Sequence, residues 1–215
     1  MIALQLETDI LGVVDVQPTF MPGGELPVAE GDAVVPAINA LLGRFRHAFA
    51  TQDWHPPAHG SFASAHPGRQ PFETIVLPYG PQVLWPDHAI QGSANAALHP
   101  GLEPGKIEMI VRKGFHPAID SYSAFFENDR TTPTGLDGWL RQRGFRRIFL
   151  AGLATDYCVA WSAEDAARLG YDVVVVEDAC RGIGLPTAPG RTTMDDARER
   201  LAAAGVRLVA AEDVR

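Results

Sequence analysis

The feature that most constrains this chain is an alternation of short apolar runs with helical patterns. Each run is stopped by a polar residue. The clearest unit lies between Arg147 and Tyr171. Ile148, Phe149 and Leu150 are too few for a helix and are bounded by Gly152, so they read as a buried strand. Thr155 and Asp156 read as helix N-cap residues, and Val159, Ala163, Ala166 and Ala167 follow at helical spacing as far as Gly170. Cys158 is thereby placed in the first turn of a helix leaving the carboxyl end of a strand. Unpaired backbone N–H groups there would favour a thiolate and could hold an adjacent oxyanion. Most free cysteines are small packing residues, so this unit alone leaves both readings open.

The same punctuation recurs along the chain. Ile10–Val16 is a mostly apolar, β-branched run of the kind found in parallel strands covered on both faces. Ala48–Gln52, Ile107–Arg112, Val173–Val176 and Val206–Val209 complete six strands. Helical spacing marks Asp32–Arg44, Gly135–Arg143 and Thr192–Ala204. Strands alternating with helices predict an α/β fold, a doubly wound, Rossmann-like parallel sheet between two helical layers. With 215 residues the chain is expected to form one domain over 1–215. The segment 53–106 stands apart as a long loop. Residues 55–106 hold nine of the 17 prolines and five of the seven histidines. Long loops in compact domains are usually functional or disordered, and Phe62, Phe72, Tyr79 and Trp85 argue against disorder here.

In such sheets ligands sit outside the carboxyl ends of the strands. Asp15, Asp53 and Lys113 end the first three strands, and Cys158 follows the fourth, so the topology brings all four to one rim. A thiol needs a base for its proton, and a nearby cation favours the thiolate. Asp15 is the candidate base and Lys113 the candidate cation. Asp53 and His55, two residues apart on an extended chain, project to the same side. They form two thirds of a two-His, one-carboxylate metal site, with His59 or His88 to complete it. Phe20, Trp85, Tyr122 and Tyr157 fall on the same rim and would suit a flat, neutral, aromatic ligand. Cys180 has no base or cation near it in sequence and reads as structural, while His47, His66, His99 and His116 read as surface or loop residues.

A net charge of −8 argues against nucleic acid or an anionic membrane as partner. No apolar run approaches the roughly 20 residues of a membrane span. The first eleven residues contain Glu7 and Asp9 and no Lys or Arg, unlike a secretory signal. Two cysteines make no disulfide framework and fit a reducing compartment. The expected location is the cytoplasm.

With these residues assembled, the chain resembles the nicotinamidases (pyrazinamidases) among the isochorismatase-like cysteine hydrolases. The resemblance rests on VVDVQPTF at 13–20, DWHPPAHGSFAS at 53–64, WPDHAIQGS at 85–93, KGFHPAIDSYSAF at 113–125 and GLATDYCV at 152–159, in that order. It implies a six-stranded parallel sheet of the isochorismatase-like hydrolase fold and a Cys158–Asp15–Lys113 triad. It also implies a divalent metal, zinc first with iron or manganese as alternatives, on Asp53, His55 and His88, with His59 a ligand or a supporting group. Phe20, Trp85 and Tyr122 would hold the substrate ring. The N–H groups of Ala154 and Cys158 would form an oxyanion hole beside a cis peptide preceding Ala154. The implied reaction is hydrolysis of nicotinamide to nicotinate and ammonia through a thioester, with pyrazinamide as a second substrate and homo-oligomerisation left open. The family often has His-Cys-Val where this chain has His88-Ala89-Ile90, and its loop from Lys113 to Tyr122 varies in length. The alternatives are another small amide or carbamoyl substrate, a metallohydrolase that does not use the cysteine, and a ligand-binding relative without catalysis.

Overall fold

A computed structural model describes all 215 residues. Six strands form one parallel sheet: β1 (Asp9–Val14), β2 (Ala48–Asp53), β3 (Ile107–Lys113), β4 (Arg147–Leu153), β5 (Asp172–Arg181) and β6 (Arg207–Val209). Their spatial order is β6-β5-β4-β1-β2-β3, so the chain starts in the middle and winds outward in both directions. The helices are α1 (Val34–Arg44), α2 (Leu136–Gln142), α3 (Ala160–Arg168) and α4 (Thr193–Ala203). None is long and apolar enough to cross a membrane.

The central strands read as continuous apolar runs because both faces are covered. Every residue of β1 and β2 is buried, and each large aliphatic or aromatic side chain so placed contributes about 1.5–3 kcal/mol. That apolar mass must offset the cost of the charged groups collected at the rim. Two glycines set how closely the strands approach. A Cβ on Gly12 would lie 2.5 Å from Phe49 Cζ and 2.7 Å from Leu150 Cδ2. Gly152 has φ +131°, and a Cβ there would lie 2.1 Å from Val14 O. No other residue fits Gly152, and it lies at the carboxyl end of β4, where the site is built.

Several elements differ from the sequence expectation. β5 runs to Arg181 rather than ending at Val176, and after a register shift it pairs Cys180 with Gly152. Cys180 is buried there, as a packing residue would be, and burial pushes its thiol up to about 12. Thr155 and Asp156 are not N-caps. The turn Thr155–Val159 is π-helical, begins from Ala154 without a side-chain cap, and leads into α3. The Asp156 carboxylate is used elsewhere, by residues 183, 184 and 193. Within the long segment, Thr74–Leu77 and Gly80–Val83 form an antiparallel ribbon, and single bridges His55–Ile90 and Phe62–Trp85 fasten its two ends together.

Candidate active site

Three strand ends and one turn converge. Asp53 and Lys113 are in-register neighbours on β2 and β3, Asp15 follows β1, and Cys158 follows β4. Lys113 is fully buried, and its Nζ lies 2.8 Å from Asp15 Oδ2 and 3.3 Å from Cys158 Sγ. It also donates to Asp53 Oδ1 and, at 2.9 Å, to Ser121 O. The sulfur and the Asp15 and Asp53 oxygens all lie within 4.8 Å of one another. An unpaired buried ammonium would cost several kcal/mol; two carboxylates and a carbonyl offset that cost here.

Asp15 is held for its task. Its φ of +48° is left-handed, a region that costs a non-glycine residue energy and that Asp tolerates better than most. Thr51 Oγ1 donates to Asp15 Oδ1 at 2.5 Å and accepts from the Asp15 N–H at 3.1 Å. Oδ2 has the lysine contact but no well-aligned hydrogen bond.

The charges sort themselves by proximity. Burial alone would lower the Lys113 pKa, but the two carboxylates hold it well above the ordinary range. Burial would raise Asp53, yet Lys113, His55 and His88 keep it well below the usual carboxylate value. Asp15, desolvated and beside the Asp53 charge, is raised in spite of the lysine. Burial also pushes the Cys158 thiol well above its usual value, against the pull of Lys113. Burial and Lys113 thus act on the Cys158 sulfur in opposite directions. Lys113 and Asp53 satisfy each other, and Asp15 and Cys158 are both shifted toward their protonated forms.

On the far side of Asp53 lies a second cluster. His55 Nε2 and His88 Nε2 are 3.7 Å and 3.6 Å from Asp53 Oδ2. His55 Nδ1–H donates to Gly114 O at 2.9 Å and His88 Nδ1–H to Pro86 O at 2.8 Å, which leaves each Nε2 lone pair facing the carboxylate. Ligands bound tetrahedrally at about 2.1 Å would stand about 3.4 Å apart. Burial would lower the His55 pKa, but Asp53 raises it, so the field between them favours a cation. These residues fit a divalent metal.

His59 spends both ring nitrogens on other partners in this structure. Its Nε2–H donates to His116 O at 2.9 Å, while Nδ1 accepts from the Ser61 N–H at 3.2 Å, so neither nitrogen has a lone pair to spare. Its ring lies against His55, with centroids 4.4 Å apart, and supports it.

Phe20, Trp85, Tyr122 and Tyr157 line one cavity with Cys158, Asp53 and His88. Trp85 and Tyr157 meet edge to face at 4.9 Å, and Tyr122 OH accepts from Gln82 Nε2 at 2.8 Å and Trp85 Nε1 at 3.2 Å. Ala154 also lines the cavity; the Leu153–Ala154 peptide is cis, and the Ala154 N–H donates to no protein acceptor. Sequence reasoning missed Leu26, Asp120 and Ile183, which complete the lining, and Thr51, which holds Asp15. A threonine at the point where a buried strand turns from apolar to polar was the available signal for Thr51. Asp120 lay inside the 113–125 motif. Leu26 and Ile183 gave none.

Residues 9–213 match the Isochorismatase domain family. The nicotinamidase of Acinetobacter baylyi is 49% identical over 202 residues, 94% of this chain and 92% of that protein. The solved structure of an Acinetobacter baumanii nicotinamidase/pyrazinamidase superposes with a TM-score of 0.94 at 50% identity, covering 98% of this chain and 99% of the other. A Pyrococcus horikoshii pyrazinamidase solved in complex with zinc gives a TM-score of 0.74 at 32% identity, over 94% of this chain and 98% of the other. The chain belongs to the isochorismatase family, on its nicotinamidase branch.

Proposed function

We propose that this chain hydrolyses nicotinamide to nicotinate and ammonia, and pyrazinamide likewise, with Cys158 as nucleophile. One observation carries the reading: Lys113 touches Asp15, Cys158 and Asp53 at once, so a single ammonium links the nucleophile to a metal donor beneath an aromatic cavity. Asp15 takes the Cys158 proton as Sγ attacks the carboxamide carbon. The oxyanion that forms is held by the Ala154 and Cys158 N–H groups. One such donor is worth roughly 10²–10³ in rate. Asp15 then gives its proton to the nitrogen, the C–N bond breaks, ammonia leaves and a thioester remains. Asp15 next takes a proton from water, whose oxygen attacks the thioester carbon. The C–S bond breaks, nicotinate is released, and the proton returns to the sulfur. Lys113 stays charged throughout and keeps the thiolate and carboxylate from repelling each other.

Phe20, Trp85, Tyr122 and Tyr157 hold the ring. Asp53, His55 and His88 would hold the metal, which we take to be zinc on the donor set and on the zinc-bound Pyrococcus relative. When bound, it supplies a fixed positive point toward which the pyridine nitrogen is oriented. A cytoplasmic location, supported by two unbridged cysteines, belongs to the same proposal.

Ammonia release from nicotinamide, pyrazinamide and a panel of small aliphatic amides, with and without chelator, tests the assignment. Nicotinamide and pyrazinamide should lead the panel, and Cys158→Ala should lower turnover by about 10⁴-fold or more while still binding substrate. A Cys158→Ala protein that kept near-normal turnover would rule out the thioester route in favour of a metal-activated water.

A further inference from the structure

The loop after β5 carries part of the cavity wall, and one carboxylate beside the nucleophile fastens it. Ile183 lines the cavity. Its backbone N–H donates to Asp156 Oδ1 at 2.9 Å, and the Gly184 N–H donates to Asp156 Oδ2 at 2.8 Å. Thr193 Oγ1, at the start of α4, donates to that same Oδ2. Thr193 also closes the far end of the loop: the Leu185 N–H donates to Thr193 Oγ1 at 2.9 Å, and the Thr193 N–H donates to Leu185 O at 2.8 Å. Gly182 is pressed into this knot, since a Cβ there would lie 2.0 Å from Met194 Sδ and 3.0 Å from Asp156 Oδ1.

Asp156 is 2% exposed, and no cation reaches its carboxylate. Arg200 pairs instead with Glu164 at 2.8 Å and approaches only the Asp156 carbonyl. Three donors converging on two oxygens call for a carboxylate. An amide in its place would turn its own N–H groups against a backbone donor. Nothing in the reaction chemistry uses this acid, yet it stands two residues before Cys158 on the same π-helical turn. One short stretch of backbone thus fixes both the sulfur and the wall that the ring meets.

We propose that Asp156 is a positioning residue that sets the Ile183 wall against the nucleophile and so limits which ring substituents the cavity admits. The inference rests on the nicotinamidase reading for its substrate, but its anchor can be measured without one. In Asp156→Asn, the amide hydrogens of Ile183 and Gly184 should exchange with solvent at least tenfold faster than in the wild type. The KM for nicotinamide should rise roughly tenfold, the scale of losing one aliphatic contact with a ligand, while kcat changes by less than about threefold. Ring-substituted nicotinamides should gain relative to nicotinamide. Ile183→Ala should raise KM in the same way, and the double variant should match the larger single effect, because Asp156 acts through Ile183.

Unchanged exchange, a fall in kcat at constant KM, or additive effects in the double variant would each overturn the proposal. If Asp156→Asn fails to fold, Thr193→Val removes one donor and keeps the carboxylate. A smaller KM rise in that variant supports the anchor, and an unaltered KM overturns it. A wild-type enzyme that releases no ammonia from nicotinamide would sink the functional reading alone, since the exchange measurement still decides whether Asp156 pins the loop.

Discussion

The two halves of the site are built by different means. Asp15, Asp53 and Lys113 stand on the ends of adjacent sheet strands, and the backbone ladder fixes their spacing: Asp53 faces Lys113 in register, as Val13 faces Ala50. His88 and Trp85 come from the long irregular segment, which is fastened by single bridges and by side chains. Gln17 ties that segment to the end of β2. Its Nε2 donates to Asp53 O at 2.9 Å and Ala96 O at 2.8 Å, and its Oε1 accepts from the Asp53 N–H at 2.9 Å. The strand-end half therefore inherits the rigidity of the core. The half that would hold metal and ring depends on a handful of polar contacts, and loops of this kind are where binding function usually varies.

The most severe way to break this contrast is to remove the group the halves share. Lys113→Met leaves Asp15 and Asp53 buried without their cation, which should cost about 3–5 kcal/mol of stability in a urea melt and abolish ammonia release. A variant that melted like the wild type would show that the sheet rim tolerates the bare carboxylates. A more local cut tests the loop half. His88→Ala should lower metal affinity in a chelator competition by well over 100-fold, whereas His59→Ala should stay within the roughly 10–100-fold range of supporting residues. Equal losses would make His59 a ligand after all.

The smallest effect concerns Glu127, on the loop that also brings Ser121 to Lys113. Glu127 is buried, its Oε2 has no hydrogen-bond partner, and burial pushes its carboxyl from near 4.5 up to about 7. Between those values the unfolded chain ionises this group while the folded chain keeps its proton, so stability is lost as pH rises through that window and stays lost above it. Glu127→Gln should be nearly neutral at pH 4.5 and should raise the melting temperature by a margin that grows up to pH 8. A margin independent of pH would mean that Glu127 is already ionised in the fold.

What could be read from the sequence follows the same division. The central strands were legible because burial on both faces turns them into apolar runs, the edge strand β3 because it is rich in β-branched and aliphatic residues, and their ends then located Asp15, Asp53, Lys113 and Cys158. The ribbon at 74–83 was not, since apart from Gln82 its residues are exposed or half-buried and carry no core-facing apolar run. Asp156 was misread because capping preference is a local rule, and its partners lie 27 to 37 residues further along. The supporting role of His59 depends on which nitrogen carries a proton, and that is decided by the carbonyl of His116, 57 residues away. Thr51 and Gln82 are ordinary polar residues until their distant partners are in place.

Asp53 divides its two oxygens, Oδ1 to the lysine and Oδ2 to the histidines. This makes the paths of descent open to such a chain unequal. A lineage could exchange His55 and His88 for other residues and take a different amide, with the contacts around Lys113 intact. No lineage could exchange Asp53 without disturbing Lys113 as well. Among relatives with altered substrates, the aspartate should outlast the histidines.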